Sequence, residues 1–135
     1  MVKKLDHVGI VVNNLDESIP VYEHILGVKP ASVQDVPTQN VRAAFFRVGN
    51  EVEVELIEPL GTDSGVARFL DKRGPGVHHI CFKVDNVDDE LQTMAKMGIE
   101  PIDRVGRNDI TGRIGFLHPK STKGVLIEFT QTIKK

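Results

Sequence analysis

GVHHICFKVDNVDD (76–89) reads as a β-strand that opens on histidine and passes through an asparagine and an acidic pair into a helix. LDHVGIVVNNLDE (5–17) has the same plan. His7 matches His79 at an offset of 72, Asn14 matches Asn86, and Asp16 matches Asp88. LGVKP (26–30) then matches MGIEP (97–101), and Glu55 in VELIEP matches Glu128 in LIEFT. Self-similarity over this span means that one supersecondary unit is written twice.

The local patterns fill in that unit. Residues 5–12 alternate and are rich in β-branched side chains, which predicts a strand. Asn14 to Leu26 reads as a helix, capped by Asn14 or Asp16 and stopped by Gly27, with Pro20 in the first turns, where proline is tolerated better than in the interior. A strand is expected over 30–36, followed by a hairpin of VRAAFFRVG (41–49) and EVEVELIEP (51–59) across Gly49-Asn50. SGVARFLDK (64–72) is a short connecting helix. The second half repeats the order: a strand at 76–84, a helix from Val87 to Met97 stopped by Gly98, a strand at 100–105, a glycine-rich loop at 106–113, and a hairpin of 114–119 with 124–131. The expected fold class is α+β. Two tandem βαβββ modules (1–72 and 73–135) make one domain, 1–135, with a curled mixed sheet around a cavity.

Bulk properties narrow the function. The 135 residues carry 17 Lys and Arg against 19 Asp and Glu, a net charge of −2. That balance gives no basic field for nucleic acid. No apolar run approaches the roughly 18 residues that a membrane span needs. The amino-terminal apolar stretch is short and holds Asp6 and His7, unlike a signal peptide. The single cysteine, Cys81, rules out an intrachain disulfide and suits a reducing compartment. A cytoplasmic protein is expected.

The repeat singles out His7, Glu55, His79 and Glu128, each on an expected strand. Ionisable groups kept at matched apolar-strand positions need a partner, because burial without one is costly. Two imidazoles and two carboxylates suit a divalent transition metal with positions left open for substrate. A structural zinc site would use thiolates. His78 and His79 are neighbours on one strand and point to opposite faces. The repeat pairs His79 with His7, so His79 is the expected ligand. Glu51, Glu53 and Glu55 share one strand face, which must be wet, at an edge, or turned to a metal. His24 reads as a helix-surface residue, His118 as a turn residue and Cys81 as a small buried side chain on the face of His79. Neither GxGxxG nor GxxxxGK[ST] occurs, so no dinucleotide or P-loop site is expected. Arg107, Arg113, Lys120 and Lys123 offer a modest positive rim.

The chain resembles the vicinal oxygen chelate superfamily, and within it the methylmalonyl-CoA epimerases. The resemblance is carried by LDHVGIVVNNLDESIPVYEHILG (5–27), ELIEPLGTDSGVARFLDKRGPGVHHICFKVDNVDD (55–89) and FLHPKSTKGVLIEFTQ (116–131), with PLGTDS and HPKSTKGVLIE the most specific strings. It implies interconversion of (2R)- and (2S)-methylmalonyl-CoA through an enolate. It also implies a divalent metal on His7, Glu55, His79 and Glu128, cobalt before manganese, nickel or zinc, with Glu128 also the base. Lys120, Ser121 and Lys123 are implied contacts for the CoA thioester, and a homodimer is implied. Some of these epimerases supply a second carboxylate from the strand before the second ligand; this chain has Ala43 or Ala44 there. Two other functions of the same fold compete: a glyoxalase I-type isomerase of a hemithioacetal, and a non-catalytic small-molecule binder.

Overall fold

The computed structural model describes residues 1–109 and 112–132. The chain divides into two compact units: His7–His78, and Met1–Asp6 together with the chain from His79 onward. In the first unit, β1 (Val2–Val11, counted from His7) runs parallel to β4 (Val52–Pro59). β4 is antiparallel to β3 (Val41–Gly49), and β3 to β2 (Ser32–Val36). In the second, β5 (Gly76–Val84, counted from His79) is parallel to β8 (Leu126–Gln131). β8 is antiparallel to β7 (Gly112–Leu117), and β7 to β6 (Arg107–Asp109). Each ladder is mixed and has the same connectivity, so the expected α+β fold of two βαβββ modules is borne out.

The helices start and stop as their sequences dictate. α1 (Leu15–Leu26) is capped by Asn14, whose side chain accepts the Glu17 N–H, and ends at Gly27 in the left-handed region (φ 72°). α3 (Val87–Lys96) uses Asn86 and Asp89 in the same way. A second device is also duplicated. Leu15 N donates to Glu58 Oε1 (2.8 Å), and Val87 N donates to Gln131 Oε1. In both modules the last strand therefore supplies an acceptor for an orphan N–H of the helix. α2 (Gly65–Arg73) is the connecting helix, capped by Ser64.

Burial follows strand alternation. α1 covers one face of its ladder through Leu15, against Val12, Ala44, Phe46 and Leu56. α2 covers part of the other face, where Val66 meets Val11, Ala43, Phe45 and Ile57. α3 sets Val87 and Leu91 on Val84, Leu117 and Phe129. Fully burying a side chain such as Leu91 stabilises by about 1.5–3 kcal/mol.

One expectation fails. Residues 100–105 form no strand but only a bridge between Pro101 and Leu117. Pro101 has no N–H to donate, and the Asp103 carboxylate takes the Phe116 N–H (2.9 Å), replacing a ladder carbonyl. The strand appears later, as β6 within the expected loop 106–113. Residues 110 and 111 of that loop lie outside the described residues. The final strand begins at Leu126, two residues after its expected start, because Lys123 and Gly124 adopt positive φ (65° and 105°).

Candidate metal centre and substrate rim

β1 and β4 are parallel with Gly9 opposite Glu55, so His7, Gly9 and Val11 share a face with Glu53, Glu55 and Ile57. His7 and Glu55 are buried there, at 6 % and 8 % exposure. His7 Nε2 lies 3.7 Å from Glu55 Oε2. In the other unit Cys81 is opposite Glu128, which puts His79, Cys81 and Glu128 on one face. His79 and Glu128 are still more buried, at 2 % and 3 %. His79 Nε2 lies 3.2 Å from Glu128 Oε1. The Phe116 ring, opposite Glu128 in the register, meets the His79 ring edge-on at 6.2 Å. Each half of the repeat thus builds one buried imidazole–carboxylate pair.

The donor chemistry fits a divalent cation. Ligands about 2.1 Å from an ion lie roughly 3.0–3.4 Å apart when adjacent in octahedral or tetrahedral geometry. The two pairs, at 3.2 and 3.7 Å, are close to that spacing. Burying a carboxylate without compensating charge would be costly.

The neighbours of these residues sort themselves by face. His78 is half-buried, with its ring edge-on to Phe69 at 5.0 Å. Glu51 is exposed in the hairpin turn, with φ 57°, whereas Glu53 is intermediate. The three acids therefore grade from water inward to Glu55. Ala43 is opposite Ile57 and Ala44 opposite Leu56, so Ala43 shares the face of Glu55 while Ala44 lies under α1. Both are fully buried.

The HPKSTKG segment folds into a tight turn between β7 and β8. Ser121 N donates to His118 O (2.9 Å), and Gly124 N donates to Pro119 O (2.7 Å). His118 Nδ1 accepts the Lys120 N–H (3.1 Å), so this histidine braces the turn. Ser121 Oγ accepts the Glu100 N–H (2.9 Å), which ties the turn to the segment before β6. Lys120 and Lys123 are exposed. Arg107 holds its guanidinium 5.6 Å above the Phe116 ring and 3.9 Å from Asp103. Arg107 falls in the expected loop 106–113, yet it opens β6 and pairs with Ile114, a register that no local pattern predicts.

Arg113 and Asp88 form the best-defined surface pair. Asp88 accepts Arg113 Nε at 2.8 Å and Gly106 N at 2.6 Å. The Arg113 guanidinium, followed by the Gly106 N–H, lowers the Asp88 carboxyl below its ordinary value.

A family model described as the Glyoxalase/Bleomycin resistance protein/Dioxygenase superfamily matches residues 6–116. The mitochondrial methylmalonyl-CoA epimerase of Homo sapiens is 36 % identical over 130 residues, covering 95 % of this chain and 73 % of that one. The crystal structure of methylmalonyl-CoA epimerase from Mycobacterium tuberculosis superposes with a TM-score of 0.91 at 35 % identity, over 98 % of this chain and 90 % of that one. A glutamate-to-glutamine variant of the Streptomyces coelicolor methylmalonyl-CoA epimerase, in complex with 2-nitronate-propionyl-CoA, gives a TM-score of 0.90 at 31 % identity, over 99 % and 100 % of the two chains.

Proposed function

The chain belongs to the glyoxalase/bleomycin resistance protein/dioxygenase superfamily, and on that footing we propose that it is a metal-dependent epimerase of methylmalonyl-CoA. The observation that carries this reading is the duplicated, buried imidazole–carboxylate pair, His7 with Glu55 and His79 with Glu128. The two modules, 1–72 and 73–135, act as halves of one domain, and the two pairs together hold one divalent cation. Cobalt is the first candidate, ahead of manganese, nickel and zinc. Such a cation supplies Lewis-acid stabilisation of the charge that develops on the thioester oxygen.

The protein groups do the proton work. The α-carbon of the substrate lies between a thioester carbonyl and a carboxylate, which acidifies its proton. Glu128 takes that proton, needing approach to about 3 Å or one bridging water. Return of a proton to the opposite face inverts the centre. Ala43, on the Glu55 face, offers no carboxyl group, so that return falls to another group. Lys120, Ser121 and Lys123 meet the CoA portion. The protein works as a cytoplasmic homodimer; among the described residues no helix is long and apolar enough to cross a membrane.

The test is proton exchange in deuterated water with cobalt-loaded protein and (2R)-methylmalonyl-CoA. The expected result is metal-dependent α-deuteration with appearance of the (2S) epimer. Loss of neither proton nor configuration, with the metal bound, would overturn the reading and move the chemistry to a hemithioacetal substrate.

A further inference from the structure

The two halves of the repeat differ in one row of side chains. In the first unit the register sets Gln34, Ala43, Ile57 and Val11 side by side across β2, β3, β4 and β1. Ala43, Ile57 and Val11 are fully buried against Val66 of α2. In the second unit Arg107, Ile114, Thr130 and Lys83 hold the matching places across β6, β7, β8 and β5. α3 packs on the opposite face, through Val87 and Leu91. The largely apolar row of one half is therefore replaced in the other by a row with two cations and a hydroxyl. The adjoining row on the same face, about 6.6 Å along the strands, is Phe116, Glu128 and Cys81. Arg107 spans that gap. Its guanidinium sits 5.6 Å above the Phe116 ring, the ring that meets His79. Asp103, at 3.9 Å, is beyond hydrogen-bond reach, so among the described residues none of the five guanidinium N–H donors makes a hydrogen bond.

We propose that Arg107 is a specificity-determining residue of the site: it takes the free carboxylate of the acyl group, so that proton exchange favours thioesters carrying a carboxylate on the reacting carbon. This rests on the epimerase reading above. In methylmalonyl-CoA the carboxylate is one bond from the carbon whose proton Glu128 removes, so its partner must come from the rows beside Glu128. A guanidinium presents a planar fork that matches both carboxylate oxygens. Held over the face of Phe116 by cation–π attraction, it keeps its N–H edge for that anion. The pairing also offsets the repulsion between the substrate carboxylate and Glu128 as the two anions approach. Lys83, which makes no ion pair among the described residues, adds positive potential from the other end of the row. The metal is left to the thioester oxygen, and the two ends of the acyl group are held by different partners.

The experiment measures α-proton exchange of two thioesters by cobalt-loaded protein in deuterated water: methylmalonyl-CoA, and 2-methylacetoacetyl-CoA, in which an uncharged acetyl group replaces the carboxylate. Exchange in buffer alone is subtracted. Arg107→Leu and Arg107→Lys are compared with the parent; the position is exposed, and melting curves check that both variants fold. In Arg107→Leu the ratio of kcat/KM for the carboxylate thioester to that for the keto thioester is expected to fall about 10–100-fold, the loss of a hydrogen-bonded contact between charged groups. Arg107→Lys is expected to recover part of that ratio. An unchanged ratio, an Arg107→Lys variant as poor as Arg107→Leu, or a parent that exchanges the keto thioester alone would overturn the proposal. If the parent exchanges methylmalonyl-CoA alone, loss in Arg107→Leu with partial recovery in Arg107→Lys supports it, and the same activity in both variants sinks it. Should the parent exchange neither thioester, the epimerase reading fails and Arg107 is judged by titrating methylmalonate into the cobalt-loaded protein. Affinity about tenfold weaker in Arg107→Leu supports it; equal affinity in parent and variant, or absence of binding to the parent, sinks it.

Discussion

Gly115 on β7 sits under α3, and its replacement by alanine puts two effects of opposite sign in competition. A Cβ there would lie 2.7 Å from Leu91 Cδ1 and 3.2 Å from both Leu91 Cδ2 and Val87 Cγ1. Carbon atoms rest about 3.5–4.0 Å apart, so Leu91 must retreat by roughly 1 Å. Leu91 and Val87 are both fully buried, so that retreat shifts α3 or drives Leu91 off its rotamer. Overpacking of this kind costs about 1–3 kcal/mol. Losing a glycine also stiffens the unfolded chain, which stabilises by about 0.4–1 kcal/mol where the backbone suits alanine. Gly115 is not among the glycines with positive φ, so that gain applies. The net is a loss of about 1–2 kcal/mol. For a domain of this size Tm should drop by about 4–8 °C in a calorimetric melt. Repeating Gly115→Ala in a Leu91→Val background should reduce its cost, since valine lacks the Cδ atoms that clash. A rise in Tm, or the same cost in both backgrounds, would refute the clash.

Three further outcomes follow from the site and the surface pair. His79→Ala should weaken cobalt binding by more than the roughly 10–100-fold seen on loss of an outer partner, whereas His78→Ala should leave it near the parent value; calorimetric titration giving equal losses would undo the assignment of faces. Glu128→Gln should fold normally yet lose at least about 100-fold in α-proton exchange, and near-parent exchange would remove Glu128 as the base. For Asp88, the folded carboxyl titrates below the ordinary 3.8, so its contribution is fully present above that value and fades as pH falls through the folded value. Asp88→Asn should therefore destabilise at pH 7 and converge on the parent in strong acid, and a gap in urea midpoints that widens on acidification would reverse the sign.

The features legible in the sequence were those that recur. The asparagine caps, the helix-stopping Gly27 and the His and Glu positions all occur twice or carry strong local chemistry, so the repeat amplified weak signals. The stretch from 100 to 109 is not legible in the sequence because its structure depends on distant partners. Asp103 replaces a backbone carbonyl toward Phe116, and Arg107–Asp109 become a strand only through pairing with Gly112–Ile114. The acceptors that Glu58 and Gln131 lend to the helix starts are likewise tertiary, since they lie 43 and 44 residues from the N–H groups they satisfy. The choice between Ala43 and Ala44 needed the β3–β4 register, which puts Ala43 on the Glu55 face. No periodicity within the strand could decide it.

The two ladders also end in a way that bears on colloidal behaviour. β2 offers five residues and β6 three, and each closes its own ladder. An open edge recruits strands from other chains when it is long, flat and apolar. Here Gln34 and Asp35 on β2, and Arg107 and Asn108 on β6, are exposed polar or charged side chains. A stray strand would find only a few backbone partners before meeting charge or a turn. Crowded copies of this chain are thus denied an easy route into extended intermolecular sheets, even though each ladder has an inner strand with a buried central run, residues 43–46 of β3 and 114–117 of β7.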